Sequence, residues 1–258
     1  MDGLILEQLK TDWGRPASVL VPVSKQRARK DSSWIGRVTL ARQGEAWPVW
    51  KDRPLAPLCQ LRLDQAPFVP DELKDLACIT IFMDFDDEGV AETLLDEHER
   101  YDYQILMPNG HGWALRAYDS VDELVEIKAP KVHWPFSAKP GEWRYVERDV
   151  PTDHEFPDQA VDTTHWPVEA YDARLDGVRI GGWPSIIQDP LPWGPRRLPP
   201  MTFSGKLVPW TRPKFDPQYV LEVTSIPECK LWIYDGGAFF FGRGRKNRSR
   251  WCFQSDTS

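Results

Sequence analysis

Short apolar runs, each bounded by turn residues, recur along the whole chain and predict a series of β-strands. The pattern places these strands at residues 17–23, 33–40, 57–64, 76–85, 142–150 and 219–226. The run "LACITIFMDF" (76–85) is the most continuously apolar in the first half. Its density indicates a strand at a central position.

Helices are expected to be few. The chain contains 24 prolines and 13 tryptophans, and each proline inside a helix removes a backbone donor and clashes with the preceding turn. One short helix is predicted at residues 4–10 and a second at "SVDELVEI" (120–127). In the second, Ser120 stands at an N-cap and Glu123 follows three residues later, which is a capping box. The acidic, Pro-containing residues 151–176 predict a long connection.

The C-terminal residues predict a β-meander. "KLWIYDGGAFFFG" (230–242) consists of two apolar runs around Asp235 and Gly236. This pair tolerates the positive φ of a type I′ turn, so the pattern predicts a hairpin. "RWCFQ" (250–254) would return as a third strand.

The two halves of the chain share an order of patterns, which suggests a degenerate internal duplication. In each half an Ile-Gly strand precedes a strand with a polar end and then a strongly apolar strand. We therefore predict an α+β, predominantly β fold around one shared core. Residues 1–32 would be an N-terminal helix and strand extension. Residues 33–258 would be one domain with halves at 33–150 and 177–258.

The stretch "GVRIGGWPSIIQ" (177–188) places Gly181, Gly182 and Pro184 inside apolar sequence. A phosphate-binding loop would need a helix to begin directly after the glycines. The prolines that follow at 190, 192 and 195 leave no room for such a helix. The glycines are therefore expected to provide positive φ at a sharp bend, and the proline to stiffen its exit.

Composition and charge narrow the functional classes. The 258 residues carry a formal net charge of −7, from 39 acidic and 32 basic side chains. This balance disfavours a dedicated nucleic-acid binder and is compatible with a basic partner. No apolar run reaches the length of about 20 residues that a bilayer requires, and the N-terminus does not read as a secretory signal. The four scattered cysteines are expected to be reduced thiols in a cytoplasmic protein, and no cofactor is predicted.

The acidic group in "MDFDDEG" allows several interpretations. It consists of Asp84, Asp86, Asp87 and Glu88, at the end of a predicted buried strand. Asp84 and Asp86 would share one strand face and could bind a hard cation or act in acid–base catalysis. The group could instead be a solvated loop, or an acidic surface for a basic partner. The histidine spacings and serine motifs match no metal site or catalytic triad, so a hydrolase would need dispersed Asp and His residues.

Two further segments have the composition of binding surfaces. "PWGPRR" (192–197) combines aromatic and arginine side chains of the kind that anchor protein interfaces. "RGRKNRSR" (243–250) is predicted to be a basic hairpin tip, which could bind a partner or protect an apolar hairpin from edge-to-edge association. The candidate contacts in these segments are Trp193, Arg196, Arg197, Arg243, Arg245, Lys246 and Arg248.

Several of these segments resemble the bacterial YwqG-like family. They are "RIGGWPSIIQ", "YVLEVTS", "LWIYDGGAFFF" and "RWCFQSD", with "SWIGR", "PLCQLRLD" and "ITIFMDF" in the first half. The resemblance begins near Ser33, although Arg37, Val38 and Thr39 stand where relatives usually have a second Gly and a Pro. The family has no assigned activity and is similar to programmed-cell-death-2 and ribosome-biogenesis proteins. The resemblance implies a non-enzymatic binder.

The resemblance also implies a specific role, because bacterial members have been linked with toxin systems. The predicted function is that of an immunity protein that neutralises a cognate toxin, and the acidic net charge would suit a basic nuclease. A chaperone for a nascent or assembling protein is the first alternative. A hydrolase with a dispersed Asp/His site is the second.

Overall fold

The computed structural model describes residues 7, 10–24, 29, 31–86, 89–90, 109–150, 176–185, 217–234 and 236–256. This part of the chain is predominantly β, as the sequence predicted. Residues 10–13 are helical. The strands are β1 (Arg15–Pro22), β2 (Trp34–Ile35), β3 (Leu40–Arg42), β4 (Val49–Trp50), β5 (Arg53–Pro54), β6 (Ala56–Arg62), β7 (Cys78–Met83), β8 (Phe85–Asp86), β9 (Gly89–Val90), β10 (Trp113–Tyr118), β11 (Leu124–Glu126), β12 (Lys139–Asp149), β13 (Val178–Gly181), β14 (Pro217–Thr224), β15 (Ala238–Gly244) and β16 (Trp251–Asp256).

Ten of these strands form one antiparallel sheet in the order β10-β7-β6-β2-β12-β1-β13-β14-β15-β16. β1 lies near the middle of this sheet, where it pairs with β12 on one side and with β13 on the other. The segment 1–32, which the sequence indicated as an extension, therefore contributes a central strand. On each side of the β12–β1 pair stand four strands in chain order, β2-β6-β7-β10 and β13-β14-β15-β16.

The sheet curls until it is nearly closed, and its two ends share one apolar core. The ring of Trp113 in β10 lies 5.7 Å from that of Phe241 in β15 and 5.6 Å from that of Phe253 in β16. All three side chains are buried in a cluster that also includes Leu20 of the central strand β1. Burial of this apolar surface is the main force that favours the curled sheet.

A second, smaller apolar cluster covers the other face of β7. Ile81 and Met83 belong to the main core, while Phe82 between them packs with Val38 and Leu55. Side chains alternate between the faces of a strand, so the two faces of β7 are both buried. This explains why its sequence is a continuous apolar run. β7 lies one strand in from the end of the sheet, not at its centre.

Asn109 occupies the outer side of β10, at one end of the sheet. Its side-chain amide donates to the carbonyl of Leu115 at 2.8 Å, and its side-chain oxygen accepts from the Leu115 N–H at 3.0 Å. The N–H of Gly110 also donates to the carbonyl of Trp113. The chain before β10 thus pairs with the backbone groups that β10 directs away from β7.

The prediction of a helix at residues 120–127 is wrong. Leu124–Glu126 form β11, which pairs with β3, and Ser120 accepts a hydrogen bond from the N–H of Asp122 at 3.1 Å. Ser and Asp side chains often stabilise such local turns in competition with a helix. The pairing of β11 with β3, which is distant in sequence, therefore stabilises a strand where the local capping pattern favoured a helix.

The C-terminal meander is present, but its first connection differs from the predicted hairpin. β14 pairs directly with β15, and β15 with β16. The apolar residues before position 235 form a compact loop in which Ile226 bridges to Leu231. Gly236 has a φ of +108°, and its N–H donates to the carbonyl of Ile233 at 3.2 Å. Asp235 lies outside the described residues.

We expect Phe253→Ala to reduce the free energy of unfolding by about 3–5 kcal/mol, because it leaves a cavity among packed rings. The Phe253 ring has neighbours at 5.4 Å in both Phe239 and Phe241. Urea unfolding followed by circular dichroism would measure the loss. The control is Tyr145→Ala on β12, whose side chain is 55% exposed and whose loss should change stability by less than about 0.5 kcal/mol. Equal losses in the two variants would contradict the position of the core.

Candidate functional site

The connection between β6 and β7, residues 66–77, forms a strap that reaches the second half of the sheet. At one end, the hydroxyl of Ser18 donates to the carbonyl of Phe68 at 2.8 Å and accepts from its N–H at 2.9 Å. At the other end, Asp75 accepts two hydrogen bonds from the guanidinium of Arg243, at 2.6 and 2.9 Å. The carbonyl of Glu72 accepts a further bond from Arg243. The strap is therefore fixed at both ends.

A groove runs between the strap and the ends of the neighbouring strands. It consists of two adjoining cavities of 170 and 260 Å³, which share Glu72 and Gln218. The walls of the first cavity are mainly apolar and aromatic, and those of the second include two arginines. We call these two cavities together the strap groove. The side chains on which its chemistry depends are Pro16, Phe68, Pro70, Tyr219, Arg245 and Arg248.

Gly181 and Gly182 form part of the first cavity, and both have positive φ, at +71° and +65°. A side chain at either position would meet close neighbours. A Cβ on Gly181 would stand 2.7 Å from the ring of Phe68, and a Cβ on Gly182 would collide with the carboxylate of Asp149. The two glycines thus combine a left-handed backbone with the absence of side chains. A side chain at Gly181 would hold Phe68 of the strap away from this turn.

A buried ionic network holds the same turn from below. Arg179 of β13 donates to Asp149 at 2.8 Å and to Glu222 at 2.9 Å, and all three side chains are at most 5% exposed. Asp149 also accepts from the N–H of Trp183 at 2.7 Å, and Glu222 accepts from the N–H of Ser185 at 2.7 Å. Two carboxylates thus share one guanidinium. Backbone N–H groups donate the further hydrogen bonds that the second negative charge needs.

The guanidinium of Arg179 keeps its positive charge in this network. Burial alone would lower the pKa of Arg179, but the charges of Asp149 and Glu222 outweigh it, so the pKa lies above its ordinary value. A guanidinium with a raised pKa stays protonated throughout the physiological range. Arg179 therefore holds the two carboxylates in place, and they accept from the backbone N–H groups of Trp183 and Ser185.

Arg15 forms part of the first cavity and is held by an aromatic contact. Its guanidinium lies 3.8 Å from the centre of the Trp183 ring. Trp183 is in turn fixed by a hydrogen bond of 2.9 Å from its indole N–H to the carbonyl of Trp13. Cation–π contacts of this geometry favour one orientation of the arginine.

The predicted basic tip is divided between the interior and the surface. Arg243 is buried, because its guanidinium is bound to Asp75 of the strap; this corrects the expectation that Arg243 is exposed. Arg245, Lys246 and Arg248 are exposed. Arg245 and Arg248 line the second cavity, and Arg248 also contacts Asp75 at 3.1 Å.

Asp84, the first member of the predicted acidic group, is buried instead of lying in a solvated loop. It is 1% exposed and accepts a hydrogen bond of 2.8 Å from Arg53. Asp86 belongs to β8, and Asp87 and Glu88 lie outside the described residues. In the part of the chain that the structure describes, no group of three or more His, Cys, Asp or Glu side chains could hold a metal ion.

The remaining predicted residues are distributed as follows. Pro184 is buried next to the glycine turn. Trp193, Arg196 and Arg197 fall within residues 186–216, outside the described part. The strap itself was missed from the sequence, although "APFVPDELKD" carries a usable signal. Its Phe68 stands between two prolines in a polar connection, where an aromatic residue needs a partner to cover it.

The four cysteines are free and buried. Burial raises the pKa of Cys78 to about 12 and that of Cys229 to about 11. At neutral pH these thiols are protonated, and a protonated thiol is a poor nucleophile.

In comparisons with protein-family models and with curated proteins, the chain matches none. The resemblance to the YwqG-like family therefore stays a prediction. No helix of the described ranges is long and apolar enough to cross a membrane.

We expect Gly182→Ala to destabilise the protein more than Gly44→Ala, although both glycines have positive φ. A Cβ on Gly44 meets nothing within 4 Å, so its substitution costs only the backbone strain of about 1–2 kcal/mol. At Gly182 the Cβ also displaces Asp149 from its hydrogen bonds, and a bond to a charged group contributes about 1.5–3 kcal/mol more. Urea unfolding would compare the two. Equal losses would show that the carboxylate does not depend on this glycine.

The contact of Asp75 with Arg243 predicts a pH-dependent effect of Asp75→Asn. The hydrogen bond from Arg243 is the main reason that the pKa of Asp75 lies below the ordinary value of 3.8. A lowered pKa in the folded state stabilises the protein above the unfolded-state pKa, and this contribution is lost as the pH falls through the folded-state value. We therefore expect Asp75→Asn to reduce stability at pH 7 by about 1 kcal/mol, because solvent screens a partly exposed pair.

Urea midpoints measured between pH 7 and pH 3 would check this prediction. The difference between the wild-type protein and Asp75→Asn should shrink below pH 3.8. The matched control on the same strap is Asp71→Asn, which removes an exposed pair with Lys74 and should leave the midpoint unchanged. A difference for Asp75→Asn that is constant over the whole pH range would contradict an ionic origin.

Proposed function

We propose that this chain is a non-enzymatic protein-binding module and that the strap groove is its binding surface. The observation that carries this proposal is an open groove whose two walls are already fixed, the strap by Ser18 and Arg243 and the glycine turn by the buried ionic network. A rigid groove binds a partner without the entropic cost of ordering loops. Its aromatic, proline and arginine side chains are typical of interface anchors.

The positions of the buried carboxylates support a binding function over hydrolysis. Asp84, Asp149 and Glu222 each accept a hydrogen bond from an arginine side chain. A general base must reach a substrate proton and must change its charge near neutral pH. These three carboxylates are at most 5% exposed and are bound to guanidinium groups, so a substrate proton does not reach them.

The partner that we propose is a toxin, which the chain neutralises as an immunity protein in the cytoplasm. The toxin role rests on the resemblance to the YwqG-like family, and the free buried cysteines are typical of a reducing compartment. The net charge of −7 favours association with a basic protein such as a nuclease. Among the segments that the sequence indicated, the exposed residues Arg245, Lys246 and Arg248 would add contacts at the basic end of the groove.

We also propose that the fold arose by duplication of a four-stranded unit. The units β2-β6-β7-β10 and β13-β14-β15-β16 have the same strand order on the two sides of β12 and β1. Ile35 and Ile180 each precede a glycine with positive φ, Gly36 at +72° and Gly181 at +71°. The repeated Ile-Gly pattern of the sequence thus has the same place and conformation in both units.

The polar contacts of the two units support the same origin. Gln60 of β6 stands opposite Trp34 and accepts from the N–H of Thr39 at 2.9 Å. Glu222 of β14 stands opposite Arg179 and accepts from the N–H of Ser185 at 2.7 Å. In both units a side-chain oxygen of the second strand accepts a hydrogen bond from a backbone N–H that follows the Ile-Gly bend. In the second unit this oxygen belongs to a carboxylate, Glu222, which also binds Arg179. Residues of the second unit line the groove.

A pull-down from the native host would test the binding function. The tagged full-length chain should retain a partner in stoichiometric amount at moderate salt, identified by mass spectrometry against an unrelated tagged protein. Recovery of one basic effector-like protein supports the immunity role, and co-expression should then relieve its toxicity. Recovery of ribosomal or assembling proteins favours a chaperone. If the chain retains no protein in excess of the control, the binding function is wrong.

A further inference from the structure

We propose that the strap groove recognises an extended acidic segment of the partner protein, in which an apolar side chain precedes or follows an Asp or Glu side chain at a short distance. This inference rests on the proposed protein-binding function and specifies the chemistry of one segment of the partner, a local acidic stretch on a protein whose overall charge is basic. It is carried by three features of the groove that lie in sequence along its length.

The first feature is the apolar end. The cavity of 170 Å³ is bounded by Pro16, Phe68, Pro70 and Tyr219, and glycines and Arg15, whose guanidinium lies on the Trp183 ring, also form part of its wall. Prolines and aromatic rings present flat apolar surfaces that lose little entropy on binding. Such a cavity is suited to one apolar side chain, whose burial supplies most of the binding free energy.

The second feature is an acceptor at the junction of the two cavities. The side-chain oxygen of Gln218 is buried and has no hydrogen-bond donor among the described residues. An unsatisfied buried acceptor is costly, so a ligand that brings a donor to this point gains affinity when the Gln218 side chain turns its oxygen toward the groove. Extended peptides present a backbone N–H at every residue except proline. The N–H next to the apolar side chain of a bound segment is the donor that we assign to Gln218.

The third feature is the basic end. Arg245 and Arg248 line the cavity of 260 Å³ and are exposed. Arg248 is partly neutralised by Asp75 at 3.1 Å, whereas no ion pair joins Arg245 to another residue of the described ranges. A carboxylate placed between these two side chains forms charge-assisted hydrogen bonds. The groove therefore binds an apolar group, a backbone N–H and a carboxylate, in that order along its length.

Glu72 makes the recognition selective. Glu72 lines both cavities, so a ligand with a negative charge at its centre would carry that charge next to an acidic residue. A run of phosphates would place negative charge along the whole groove, including next to Glu72. An acidic protein segment with its charge at one end avoids this repulsion. The groove therefore favours protein over nucleic acid.

The first experiment screens an array of random heptapeptides, acetylated and amidated at their ends, with the purified full-length chain. We expect the bound peptides to be enriched in Asp or Glu at a fixed short distance from an aromatic or aliphatic residue. The affinity of the best peptide would then be measured by fluorescence anisotropy for the wild-type chain and its variants.

Charge reversal in the basic loop provides a matched comparison. Arg245→Glu and the double variant with Arg248→Glu should weaken peptide binding at least about tenfold, because they replace attraction by repulsion at the carboxylate. Lys246→Glu makes the same charge change in the same loop but outside the lining residues, and should weaken binding less than about threefold. Phe68→Ala should also weaken binding, provided that its urea midpoint shows a folded protein. Gln218→Met should weaken binding without changing the preference for acidic residues.

Three results would overturn the inference. The first is an array without enrichment of acidic residues. The second is an equal loss of affinity for Arg245→Glu and Lys246→Glu. The third is tighter binding of a labelled 20-nucleotide oligothymidine, or of peptides with a free C-terminal carboxylate and no acidic side chain.

The host pull-down separates this inference from the proposed function. If the double variant of Arg245 and Arg248 retains the same partner as the wild-type chain at the same yield, the protein-binding function stands and the groove inference falls. If the wild-type chain retains no partner and the array shows no binding, both fail.

Discussion

The ionic contact between Arg179, Asp149 and Glu222 is the constraint on which the architecture of the groove depends. These residues belong to β13, β12 and β14, and β1 lies between the first two of these strands. Because buried charges are strongly unfavourable without partners, the three strands and the backbone of Trp183 must hold their relative positions. The glycine turn is thereby fixed, and with it one wall of the groove.

The strap has the complementary role. It leaves the first half of the sheet after β6, bonds to β1 through Ser18, and reaches β15 through Asp75 before it returns to β7. Its turn residues fold on themselves, with the N–H of Leu73 donating to the carbonyl of Pro70. A connection of the first unit thus covers the surface of the second.

The sequence was sufficient to predict most strands of the large sheet, because their apolar runs and bounding turns are local signals, but it did not indicate β10. It also identified the unusual turn at Gly181 and Gly182. It could not identify the carboxylate that this turn receives, since Asp149 lies in a different strand and its partner Arg179 is 30 residues away. The contact of Arg243 with Asp75 spans 168 residues, which is why a basic segment looked uniformly exposed.

The errors have the same physical origin. Asp84 looked like part of a solvated acidic loop because Arg53, which neutralises it, is distant in the chain. The capping box after Ser120 was a valid local pattern, yet pairing of β11 with β3 determined the structure. Local propensities therefore predicted most strands, whereas the charged contacts that define the candidate site depend on chain topology.

The position of Asn109 has a consequence for the behaviour of the protein at high concentration. An end strand with free backbone groups is a template on which another molecule can add a strand and start a growing assembly. The side chain of Asn109 occupies both backbone groups of Leu115, and Gly110 occupies the carbonyl of Trp113. A single amide side chain, imitating a strand backbone, thus blocks the middle of the β10 edge to self-association.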